Sequence, residues 1–196
     1  MTKNELRMDV LSLRNGIESN QRGLWDQLIF ERAHKVRSFQ VAKRVHIYRS
    51  VRDEVETSPF IEYAWGTGKD VYVPITALGL AVMHHCKITW RTAWREDAFG
   101  IPEPIPESPD DVITSDAFFD EYSAVIVPLV AFDRQCHRLG YGKGYYDRFL
   151  NNSAASTIGL AYEVQRVPSV EAEAHDVALS CVATQERWYV PTSKIT

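Results

Sequence analysis

The sequence predicts an α/β layered fold: a mainly parallel sheet flanked by helices, in one domain spanning 1–196. Two observations lead there. Short runs rich in β-branched and aromatic residues alternate with segments of helical spacing. The most apolar run, "YSAVIVPLVAF" (122–132), reads as a central strand buried on both faces, and a glycine-rich stretch follows it directly.

Taken in order, residues 3–17 place Leu6, Val10, Leu13 and Ile17 at helical spacing. A second helix is expected over 21–39, with Asn20 as its N-cap and Leu24, Leu28 and Val36 on its buried side. "RVHIYRS" (44–50) reads as a strand. "SPFIEYAW" (58–65) reads as a helix capped by Ser58, with Pro59 in its first turn. "KDVYVP" (69–74) is a strand stopped by Pro74, and "LAVMHHCKITW" (80–90) another. "GIPEPIPESPDD" (100–111) carries four prolines and reads as a loop. After the apolar run, "YYDRFLNN" (145–152) opens a helix, and strands are expected at 156–162 and near 176–180. There is no repeat and no low-complexity segment.

Composition narrows the function. Apolar residues make up 45% and charged residues 24%, an ordinary globular balance. A net charge of -4 argues against nucleic acid as a partner, because phosphate neutralisation needs a basic face. No apolar run approaches the roughly 20 residues of a membrane span, and 1–18 holds no unbroken apolar stretch of the secretory kind. Cys86, Cys136 and Cys181 are widely spaced and odd in number, which points to reduced thiols in a cytoplasmic protein. His84 and His85 read as structural or surface residues.

"RLGYGKGYYDRFL" (138–150) alternates Gly140, Gly142 and Gly144. Alternate glycines permit positive φ and close approach of a ligand. A position between a strand and a helix is where α/β folds bind anions. The spacing matches neither the Walker loop nor the Rossmann fingerprint. On pattern alone this is either an anion-binding loop or a tight turn without a ligand.

A longer run, "VPLVAFDRQCHRLGYGKGYYDRFL" (127–150), resembles the 5-formyltetrahydrofolate cyclo-ligase (methenyltetrahydrofolate synthetase) family, whose pattern is V-P-x-x-A-F-D followed by R-L-G-x-G-x-G-Y-Y-D. "KNELR" (3–7), "RDEVET" (52–57), "FGIPEP" (99–104), "IGLAYEVQ" (158–165) and "AHDV" (174–177) match further family segments in order. Cys136 stands where the family usually has glycine, Arg49 at an often apolar substrate-side position, and Phe99 where some members carry tryptophan. The resemblance implies a fold similar to sugar-phosphate isomerases and CoA-transferases. It implies an enzyme that converts 5-formyltetrahydrofolate to 5,10-methenyltetrahydrofolate with ATP and Mg2+, and a monomer with small-molecule partners is expected. A relative that keeps the binding sites without turnover is the alternative.

The resemblance assigns ATP to Lys3, Arg7 and the run Arg138, Leu139, Gly140, Tyr141, Gly142, Lys143, Gly144, Tyr145 and Tyr146. It assigns folate to Arg49, Glu54, Tyr141 and Tyr145, and magnesium to Asp147 and Asp176. Lys143 and Arg138 are the expected catalytic cations, because phosphoryl transfer needs positioning and charge neutralisation. Spacing adds that Lys3 and Arg7 share a helix face, although such a pair is more often plain surface. Of the adjacent Tyr145 and Tyr146, one is expected in the core.

Overall fold

Helix α1 (Lys3–Asn15) begins at Thr2, whose hydroxyl accepts from the Glu5 amide while the Glu5 carboxylate accepts from the Thr2 amide. The computed structural model describes residues 2–76, 82–96, 101–114, 116–173 and 176–192. Val10 turns inward as the spacing requires, but Leu13 is exposed. The expected second helix is two: α2 (Ser19–Ala33) and α3 (Arg37–Val41). Glu18, not Asn20, stands at the N-cap of α2. Leu24 and Leu28 face solvent, while Trp25, Ile29 and Ala33 face the core. Both sets have i, i+4 spacing, so periodicity alone could not choose between them. Val36 packs against the core from the connection between the helices.

The rest of the chain runs β1 (Arg44–Ile47), α4 (Ser58–Gly66), β2 (Asp70–Thr76), β3 (Met83–Ile88), β4 (Ala93–Glu96), β5 (Pro102–Ile105) and β6 (Val112–Ile113). Then come β7 (Ser123–Val127), β8 (Ala131–Phe132), β9 (Arg138–Leu139), α5 (Tyr145–Asn151), β10 (Ser156–Leu160), β11 (Cys181–Ala183) and β12 (Trp188–Tyr189). The main sheet has the order β12-β11-β10-β7-β1-β2-β3-β6. Strands β11, β10, β7, β1 and β2 are parallel neighbours, and β12, β3 and β6 add antiparallel edges. All five residues of β7 are buried. Its Ala124 and Ile126 face the core beneath α2, α3 and α4, and its Val125 and Val127 face the one beneath α5. This two-sided burial explains the unbroken apolar run.

Several expectations are corrected, most of them at prolines. The strand expected over 122–132 ends at Val127, before Pro128, and resumes as β8, which pairs antiparallel with β9. Proline has no N–H for a ladder, so the chain leaves the sheet there. Pro74 does not stop β2: the ladder with β1 ends at Tyr72, and beyond it that edge of β2 needs no N–H. The proline-rich segment is not all loop, because β5 pairs with β4 as a separate ribbon, where open edges tolerate proline. Thr57, not Ser58, is the N-cap of α4, and its hydroxyl bonds the Tyr48 carbonyl rather than the helix. The last parallel strand is Cys181–Ala183 rather than 176–180. Of His84 and His85, His85 is buried and meets Asp116 at 2.9 Å. Phe99 and residues 80–81 lie outside the described residues.

Candidate active site

From β1 the chain turns toward β2, and from β7 toward β10, on opposite sides. The crevice at the carboxyl ends of β1 and β7 is therefore a topological switch point, where open α/β sheets bind ligands. A cavity of about 1230 Å³ opens there. Its walls are the segment after β1, the glycine loop after β9, one face of α1 and the β4–β5 ribbon.

The glycine loop is held by its neighbours. Gly142 has φ +95° and Gly144 φ +66°, and Gly144 is the N-cap of α5. Both conformations disfavour any residue with a Cβ. The Arg7 Nε donates to the Gly140 carbonyl at 2.8 Å, and the Arg148 Nη2 to the Lys143 carbonyl at 2.9 Å. Thus α1 braces one end of the loop and α5 the other. The Lys143 side chain is exposed and lines the cavity.

Arg138 is buried and lies beneath the loop. Its Nη2 donates to Asp147 Oδ1 at 2.6 Å and its Nη1 to the Val177 carbonyl at 2.7 Å. Burial pushes its pKa down, opposed by the charges of Asp147 and Asp176. The two aspartates, 29 positions apart in number, are thus brought to one guanidinium. Lys3 reaches the same corner, at 2.7 Å from Glu173 and 3.3 Å from Asp176. Its hydrogen bond to Glu173 raises its pKa above the ordinary lysine value, against a smaller lowering by burial.

On the other wall, Glu54 Oε2 accepts from the Val51 amide at 3.1 Å and Oε1 from the Tyr141 hydroxyl at 2.6 Å. Burial raises its pKa above the usual carboxylate value, against the lowering by those two hydrogen bonds. The Arg49 guanidinium sits 5.5 Å from the Trp94 ring centroid and donates to Ser58. Tyr145 and Tyr146 both line the cavity and are partly buried. The Tyr146 hydroxyl is the one turned inward, without a hydrogen-bond partner among the described residues.

Every residue expected at the site lines this cavity. Sequence reasoning missed Arg14, Asp53, Glu173 and Trp94, which line it too. Arg14 had a signal: on a helix it falls between Lys3 and Arg7 in angle, on the same face. Glu173 and Trp94 arrive from distant segments without any local pattern.

The profile of the "5-formyltetrahydrofolate cyclo-ligase family" matches residues 1–185. The 5-formyltetrahydrofolate cyclo-ligase of Haemophilus influenzae is 29% identical over 183 residues, covering 90% of this chain and 94% of its own. That of Escherichia coli K12 is 30% identical over 158 residues, covering 75% and 80%. The NMR structure of Aquifex aeolicus 5,10-methenyltetrahydrofolate synthetase superposes with a TM-score of 0.79 at 26% identity, over 100% of this chain and 96% of that one. The match along nearly the whole chain includes the glycine loop, the Glu54 turn and the first helix, so the chain belongs to the 5-formyltetrahydrofolate cyclo-ligase family.

Proposed function

We infer that the protein converts 5-formyltetrahydrofolate to 5,10-methenyltetrahydrofolate with ATP, releasing ADP and phosphate, as its family does. The observation that carries this reading is the position of Tyr141. It belongs to the glycine loop, yet its hydroxyl bonds Glu54 on the opposite wall. A phosphate cradled by the loop and a pterin held at Glu54 would be neighbours in one cavity.

A formamide oxygen is a poor leaving group until it carries phosphate. In the proposed sequence the formyl oxygen attacks the γ-phosphorus and ADP leaves. N10 then attacks the formyl carbon, loses its proton, and the C–O bond breaks to release phosphate. Lys143 and the loop amides stabilise charge on the transferring phosphoryl oxygens. Lys3 and Arg7 reach the nucleotide from α1. Arg138 acts from below, holding Asp147 and the 177 carbonyl in place. Glu54 accepts hydrogen bonds from the pterin amino groups, while Arg49 and Tyr145 line the folate side.

Asp147 and Asp176 fit a magnesium ion, which takes one or two carboxylates and keeps water and phosphate oxygens for its other positions. Bound there, it would neutralise charge on the phosphates. Asp147→Asn is expected to raise the magnesium concentration needed for half-maximal activity, and an unchanged titration removes Asp147 from the metal site.

We place the enzyme in the cytoplasm as a monomer with small-molecule partners. The three cysteines are unpaired and buried, which supports a reducing compartment. Among the described residues, no helix is long and apolar enough to cross a membrane. Mixing the protein with 5-formyltetrahydrofolate and magnesium ATP should produce the methenyl absorbance. Absence of product at high enzyme concentration would favour a silent binding relative.

A further inference from the structure

Arg14 closes a chain of four side chains across the cavity. Its side chain is 4% exposed and its guanidinium grips Asp53 with two bonds, Nε to Oδ2 at 2.9 Å and Nη2 to Oδ1 at 3.0 Å. The same Nη2 donates to the Tyr141 hydroxyl at 3.0 Å, and that hydroxyl donates to Glu54 at 2.6 Å. The direction of this chain is forced. Arginine only donates, so the tyrosine oxygen must accept from it, and among the described residues the tyrosine proton goes to the Glu54 carboxylate. Asp53 sits in the tight turn that presents Glu54, beside Arg52 at φ +56°. Burial alone would raise the Asp53 pKa, but the hydrogen bonds and charge of Arg14 outweigh it and hold the carboxyl below its ordinary value. The forked geometry suits arginine and cannot be reproduced by lysine, which is a point charge on a flexible stem.

We propose that Arg14 and Asp53 are positioning residues for the folate side of the reaction: together they lock Tyr141 against Glu54 and so join the glycine loop to the folate wall. The inference rests on the functional reading above for the identity of the ligand, but the clamp itself is a property of the protein alone. Because α1 also carries Lys3 and Arg7, one helix touches both substrate walls, with Lys3 and Arg14 about 16 Å apart along its axis at 1.5 Å per residue.

The test compares Arg14→Lys, Tyr141→Phe and the double variant. Hydrogen exchange in the ligand-free proteins reads the clamp. Arg14→Lys should speed exchange in 140–144 and in 51–54, while the central strand β7 stays protected. Calorimetry with 5-formyltetrahydrofolate reads its use. Arg14→Lys should weaken folate binding roughly 10-fold, the size expected for one lost charge-assisted hydrogen bond, and weaken ATP binding several-fold less, because Arg7 and Arg148 still brace the loop. In the Tyr141→Phe background the same substitution should add less than about 2-fold, because Arg14 acts through Tyr141. Equal effects on both ligands, or effects that add in the double variant, would make Arg14 a plain structural residue and overturn the proposal. So would exchange that does not change. If the unaltered protein binds no 5-formyltetrahydrofolate, the functional reading and the folate role fall together, while the exchange measurement still decides whether the clamp exists.

Discussion

Lys143 is the exposed cation of a loop whose shape other residues hold. The two left-handed glycines set the backbone, and Arg7 and Arg148 tie it at each end. Removing the ammonium should therefore leave the fold intact, with a stability change within about 0.5 kcal/mol. It should lower kcat by about 10²–10³, the usual cost of one electrostatic donor to a transition state. Steady-state rates and melting temperature of Lys143→Ala check both halves, and near-normal kcat in a folded variant would assign the phosphoryl charge to another group. Cys136 shows the opposite case. It has φ +60°, so the departure from the expected glycine falls on a backbone position with a physical preference for glycine. Such local features are legible in the sequence because one residue type answers one backbone demand. Glu173 was not legible, because only folding brings it to Lys3.

Among the elements, β1 carries the least expected side chain. His46 is wholly buried, packed against His85, Phe119 and Phe149, and neither ring nitrogen has a hydrogen-bond partner among the described residues. Burial holds its pKa well below the ordinary 6.5, and the neighbouring His85 lowers it further. His85 is also lowered by burial, though Asp116 opposes this. Well above pH 6.5 both histidines are neutral whether the chain is folded or not. Below it the unfolded chain takes up protons that the folded protein refuses, so stability falls as pH falls, by up to about 1.4 kcal/mol per pH unit for each histidine. Denaturant titrations from pH 7 to 5 should show this slope. His46→Phe should cost little at pH 7, since an unpaired polar group gives way to an apolar ring, and should flatten the slope. An unchanged slope would place the effect elsewhere. Elements were legible where pattern and burial agree, as in β7. They were misread where two faces of a helix carry equal spacing, as in α2, and where proline acts by its place in the sheet, as at 74 and 128.

In the whole molecule, the parallel order and the glycine stretch together put the site at the switch point between β1 and β7. The loop's place between a strand's carboxyl end and a helix followed from the sequence, whereas the strand order that makes the crevice a switch point did not. Part of the far wall did not follow either: Trp94 and Arg14 join Arg49 and Glu54 around the cavity only through the ribbon and α1. The account requires the formyl oxygen to become phosphorylated before the ring closes. Supplying 5-formyltetrahydrofolate with a heavy-oxygen label in its formyl group, and weighing the released phosphate by mass spectrometry, tests that step. The label should appear in phosphate, in step with methenyl formation and ADP release. Methenyl product with unlabelled phosphate, or formed without ATP, would contradict the account.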